Sequence, residues 1–109
     1  MTEDERRKFE QIRAEHNDNT LAFIRTEIST GNMFAALAET EYAMGNLKHG
    51  MKVQVDAEQA YTTAELRLRE ATLKGLDTAE LVAELSEFRT RLNTLRPQIG
   101  EGEGAERAR

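Results

Sequence analysis

The chain has 109 residues, enough for one small hydrophobic core and too few for two. Charged residues make up 32% and hydrophobic ones 39%, with one proline, seven glycines and no tryptophan, a mix that suits helices joined by short turns. The net charge of −5 repels nucleic-acid backbones and anionic membranes, and the lack of cysteine excludes disulfides, thiolate metal sites and cysteine nucleophiles. No window approaches the roughly 20 apolar residues of a membrane span, and the opening MTEDERRKFEQ has no secretory h-region. A soluble, cytoplasmic protein is expected.

The first segment pairs Thr2 with Glu5 in a capping-box pattern, then runs through charged residues with only Phe9 and Ile12 as apolar anchors. It predicts a charged, weakly docked helix over residues 1–16. HNDNT (16–20) gathers turn and N-cap formers, after which Leu21, Ile24 and Ile28 mark one face of a helix ending near Gly31. From Met33, Phe34, Leu37, Ala38 and Tyr42 recur at spacings of three and four, and Gly45 stands where a left-handed residue would close that helix.

The piece from Leu47 to Lys74 is the longest, roughly 40 Å at about 1.5 Å per residue, with Gly50 weakening its start. It carries two apolar stripes. Val53, Ala57, Ala60, Ala64, Leu68 and Ala71 form one; Leu47, Met51, Val55, Leu66 and Leu73 form the other. A helix apolar on two sides is expected between two neighbours. Beyond Gly75, Asp77 caps a last helix with Glu80 three residues on, and Leu81, Leu85, Phe88, Leu92, Leu95 and Ile99 alternate steps of four and three. That heptad pattern predicts a seam against one partner, the long helix, packed antiparallel across the KGLDT turn. Pro97 ends the helix near Arg96.

Together these pieces predict an all-α fold: antiparallel helical hairpins forming a small four- to five-helix bundle in a single domain over 1–99, with the helix of Leu21, Ile24 and Ile28 behind the first hairpin. GEGEGAERAR (100–109) reads as flexible tail.

Little in the chain carries catalytic chemistry. His16 lies in a polar turn and His49 beside a turn glycine, with neither Glu-x-x-His nor His-x-x-x-His spacing, so no metal site is assigned. Ser29 and Ser86 lack a nucleophile pattern, and no glycine loop cradles phosphate. The basic residues Arg67, Arg69, Lys74, Arg89, Arg91 and Arg96 are accounted for by helix dipoles. Glu41 stands apart, because it falls beside the apolar face between Leu37 and Tyr42, where an unpaired carboxylate is costly. No catalytic residue and no cofactor is assigned.

What remains is the strip Met44, Leu47, Met51 and Val55 at one edge of the long helix, since methionine is an adaptable filler of binding surfaces. The sequence thus points to a non-enzymatic protein–protein interaction or assembly module, whose partner is another protein or a second copy of the chain. The alternative is a small-molecule binding or sensing bundle with Glu41 and Tyr42 as polar anchors of a pocket. YAMGNLKHG (42–50) is then a turn.

Phe34, Leu37, Ala38, Gly45, Gly50 and Ala57 stand at the spacing of the large, large, small, turn, small and small positions of a tetratricopeptide-type helix pair. The stretch from Phe34 to Ala57 resembles about one such repeat. The resemblance implies a tetratricopeptide-like helical-hairpin scaffold that binds peptides or other proteins.

Overall fold

The computed structural model describes residues 1–95. Readings that fall on Pro97, Ile99 and the 100–109 tail lie outside the described residues. Within them the chain is all-α, with three helices in order: α1, Glu3–Ala43; α2, Leu47–Leu73; and α3, Ala79–Thr94. That is fewer than the four or five that the sequence punctuation predicts.

The missing breaks have physical reasons. Residues 16–20 stay helical, and Thr20 Oγ1 donates to the His16 carbonyl at 2.9 Å, satisfying its hydroxyl inside the helix instead of capping a new one. Gly31 is buried in the middle of α1, where a Cβ would stand 2.3 Å from Cζ of Phe88 and 3.1 Å from Cβ of Ala60. Gly50 likewise lies inside α2, with the Tyr42 ring 2.6 Å from where its Cβ would be. Both glycines mark close approach, not termination.

The true breaks are Gly45 and Gly75, each at φ +83°. The Asn46 N–H donates to the Glu41 carbonyl at 2.8 Å and the Gly45 N–H to the Tyr42 carbonyl at 3.1 Å, the paired bonds of a Schellman motif. Leu76 to Ala71 (3.1 Å) and Gly75 to Thr72 (3.0 Å) repeat the motif at the end of α2. The Thr2–Glu5 capping box opens α1 as expected. For α3 the N-cap is Thr78, which makes no side-chain cap bond, and Asp77 Oδ1 accepts from the Ala79 N–H at 3.4 Å.

α1 and α2 form an antiparallel hairpin. Ile24, Ile28, Gly31, Ala35, Ala38 and Tyr42 face Gly50, Val53, Ala57, Ala60, Ala64, Leu68 and Ala71, all buried and spaced by steps of three or four. So many small residues bring the axes toward the near end of the ~8–10 Å range. Leu37, expected inside, is 42% exposed because the inward positions are taken by Ala35 and Ala38. The segment with Ile24 and Ile28 is no separate helix behind the hairpin; it is the middle of α1 and covers the second half of α2.

α3 packs against α1 and α2 together, where the heptad pattern predicts one partner. Leu81, Leu85, Phe88, Leu92 and Leu95 are all buried. Phe88 lies over Gly31 and meets Tyr61 edge-on, centroids 5.9 Å apart. Charged pairs rim α3 on both sides: Arg89 with Glu58 of α2 at 3.1 Å, Arg91 with Glu39 of α1 at 3.0 Å, and Arg25 of α1 with Glu84 at 3.9 Å. Such half-exposed pairs contribute about 0.2–1 kcal/mol each, so they fix the alignment of α3 more than its stability.

The molecule is elongated, 75 × 20 × 15 Å, with a radius of gyration of 19.5 Å where a compact chain of this length has about 13 Å. With 41 residues against 27, α1 outreaches α2 by about 21 Å. Residues 1–16 form this overhang and are exposed throughout.

Candidate functional site

α2 is buried along one stripe and open along the other. Met51, Val55, Leu66 and Leu73 are 58%, 54%, 50% and 83% exposed. With Thr62 and Arg69 they fall at steps of four, seven, four, three and four, which keeps them on one side of the helix. The buried alanine stripe faces α1, and Tyr61 and Glu58 face α3. The predicted second neighbour of α2 therefore covers its flank, not this stripe.

Met51 and Val55, together with Gln54, Glu58 and Thr62, line a shallow depression of about 710 Å³, one wall of which is Tyr42. Farther along, Leu73 and Leu68 of α2 meet Val82 and Leu85 of α3 around a second depression of about 340 Å³. Of the strip read from sequence, Met51 and Val55 lie on this surface. Met44 is the C-cap of α1 and is 64% exposed, and Leu47 is partly buried against the core; neither lines the depression. Val82 went unassigned in the sequence because it lies off the leucine heptad of its helix.

Glu41 and Tyr42 are separated by the helix. Tyr42 is buried; its hydroxyl donates to Oε1 of Gln54, and burial pushes its pKa up. The Glu41 carboxylate instead clamps the α1–α2 turn. Its Oε2 accepts from Nδ2 of Asn46 at 2.8 Å and lies 3.2 Å from Nδ1 of His49. The Asn46 bond first, and the His49 bond second, hold its pKa below the ordinary 4.5.

A folded-state pKa below the unfolded one means that protonation favours unfolding. This contribution is present above about pH 4.5 and is lost as the pH falls through the lowered value. Glu41→Gln removes it, so the melting temperature of the native chain is expected to drop more steeply than that of the variant when both are acidified from pH 5. Equal acid slopes would contradict the clamp.

His16 lines a third depression of about 380 Å³ with Phe23, Arg67 and Lys74, where the end of α2 meets α1. Arg89 and Arg91, read as helix-dipole partners, reach across to α2 and α1 instead. Among the described residues no group of three or more His, Asp or Glu could hold a metal ion, and no helix is long and apolar enough to cross a membrane. Comparison with known proteins gives no matching family model, no matching curated protein and no matching solved structure.

Proposed function

We propose that the chain is a non-enzymatic helical docking module that receives an amphipathic helix of a partner protein along the outer stripe of α2. The observation that carries this reading is the stripe itself. Met51, Val55, Leu66 and Leu73 are at least half exposed on one side of a helix whose other apolar side is fully used. From Met51 to Leu73 it runs about 33 Å, and its spacing of three, four and seven is the one that a second helix matches with anchors at i, i+3, i+4 and i+7. The Met51 and Leu73 ends are adaptable, Thr62 and Arg69 give the stripe its polar positions, and Glu58, paired with Arg89, borders it.

Two features support a tetratricopeptide-like relation for residues 34–57. The chain reverses at Gly45, and α3 lies against both members of the hairpin as the next helix does where helix pairs stack. The helices are longer than that motif, at 41 and 27 residues. In a stack of this kind the outer side of α2 beside α3 is where a further helix would pack.

A photo-cross-linking side chain placed at Val55, in cells that make the full chain, tests the reading. Expected is one discrete protein adduct, lost when Leu66→Glu is added and absent from the same probe at Ala83. A chain that yields no protein adduct at Val55, or one unaffected by Leu66→Glu, would sink it. An adduct with the chain itself would reassign the stripe to self-association.

A further inference from the structure

The outer face of α1 carries a second heptad series that α2 and α3 leave largely exposed, with its Phe23 and His16 bordering the end of α2. Phe23, Met33, Leu37 and Met44 stand on it, 45%, 70%, 42% and 64% exposed. Between Asn19 and Met44 the charged residues of α1 are Arg25, Glu27, Glu39 and Glu41; Glu27 and Glu41 border this face, each four residues beyond Phe23 or Leu37, and none takes one of its heptad positions. In a chain that is 32% charged, these heptad positions form a line about 38 Å long with no charge on it, its apolar residues alternating with Asn19, Thr26, Thr30 and Thr40. Ala22, Ser29 and Ala36 flank it at every seventh residue, which allows another helix to come close. The series continues into the overhang through His16, Ile12 (65% exposed) and Phe9 (54% exposed). From Phe9 to Met44 the register runs through five heptads, with His16, Asn19, Thr26, Thr30 and Thr40 as its polar positions.

We infer that this face is a homodimer interface in which two copies of α1 lie antiparallel. The choice of a second copy rests on charge. Along the flank that starts at Arg6, every seventh residue reads Arg6, Arg13, Thr20, Glu27, Phe34, Glu41: basic in the first half and acidic in the second. An antiparallel copy brings that flank against itself, with Arg6 opposite Glu41, whose Oε2 is already held by Asn46 and His49, and Thr20 opposite Glu27. Arg6 is exposed in the first turn and pairs with Glu3 at 2.6 Å, within its own helix. On the other flank Lys8 and Glu15 meet Ala43 and Ala36, with no like charges opposed. A parallel copy would instead set Lys8 against Arg13.

The same alignment places Ile12 opposite Leu37, His16 opposite Met33, and Phe23 opposite Thr26, with the two-fold axis near Ile24 and Arg25. It gives the overhang a purpose. A solitary helix of about 16 residues is marginal in water, and here it lies on the hairpin-turn half of the other copy, with Phe9 and Ile12 against the region of Leu37 and Thr40. This dimer uses α1 and not the outer stripe of α2, and so stands or falls independently of the docking stripe.

Sedimentation of the full chain over a concentration series is the test. Expected is a species of twice 12.3 kDa that Leu37→Glu converts to monomer with unchanged circular dichroism, while Met51→Glu leaves it dimeric. Because the chain has no cysteine, Ile12→Cys with Leu37→Cys should cross-link the two copies, and either single variant should not. In the antiparallel pair, copies of residue 12 stand about 37 Å apart. A native chain that is monomeric throughout, a Leu37→Glu chain that stays dimeric, a Met51→Glu chain that falls to monomer, or efficient linking by Ile12→Cys alone each overturns the proposal.

Discussion

Replacing Phe88 with alanine is expected to lower the unfolding free energy by about 3–5 kcal/mol, toward the upper end of that range. Phe88 is 1% exposed and is the largest fully buried side chain. It is the one point where α3 touches both other helices through a single ring, with its edge on Tyr61 of α2 and its tip over Gly31 of α1. The hole left behind would have a floor of backbone at Gly31, which has no side chain to move into it, and a wall of Cβ atoms such as that of Ala60. Collapse is therefore poor, and cavity costs are largest where collapse is poor. Urea unfolding followed by circular dichroism reads the effect as a shift of midpoint at near-constant slope. A loss below about 1 kcal/mol would show that α3 is held by its rim of ion pairs and not by this ring.

That contact also shows where the sequence stops being informative. The leucine heptad of α3 is legible because the alternation of four and three is local, and all five described members, Leu81 to Leu95, are buried. Gly45 and Gly75 are legible because a left-handed residue after an apolar run is a local signal, and both have φ +83°. Gly31 and Gly50 carry the same letter for a different cause. Each makes room for a ring that is distant in sequence or across a turn, Phe88 and Tyr42 respectively. No window around Gly31 contains Phe88, so α1 reads as broken there. Side-chain size misleads in a related way. Phe34 and Leu37 look like core residues, but a hairpin packed at short axial distance takes Ala35 and Ala38 inside and turns Leu37 outward.

The candidate surface was legible in part. The second stripe of α2 follows from periodicity, and Met51, Val55, Leu66 and Leu73 share one side. That it stays open does not follow, because whether α3 lies on that stripe or beside it depends on contacts between distant residues: Phe88 over Gly31 and against Tyr61, and at the rim Arg89–Glu58 and Arg91–Glu39, 31 and 52 positions apart. Glu41 and Tyr42 are adjacent in sequence, and adjacency on a helix means about 100° of separation. One side chain turns inward to Gln54 and the other outward to Asn46 and His49.

Gly31→Ala is the second large effect expected, and its sign is the informative part. In an exposed helix interior, alanine in place of glycine is worth about 1 kcal/mol of stability. Here the added methyl would stand 2.3 and 2.5 Å from two carbons of the Phe88 ring and 3.1 Å from Cβ of Ala60. The ring is 1% exposed and pinned edge-on by Tyr61, so it yields only by moving α3 away from the hairpin. Overpacking of that kind costs about 1–3 kcal/mol, which outweighs the helical gain and makes the variant less stable by about 1–2 kcal/mol. Shortening the ring should reverse the sign: in a Phe88→Leu background the methyl fills space that the ring tip has vacated, and Gly31→Ala becomes neutral or stabilising. A double-mutant cycle on urea midpoints then gives a coupling of about 1–3 kcal/mol between positions 31 and 88. If Gly31→Ala stabilises the native chain, or if the two changes add without coupling, α3 does not lie as close to α1 as the Phe88–Gly31 contact requires, and glycine at 31 has no packing reason to be there.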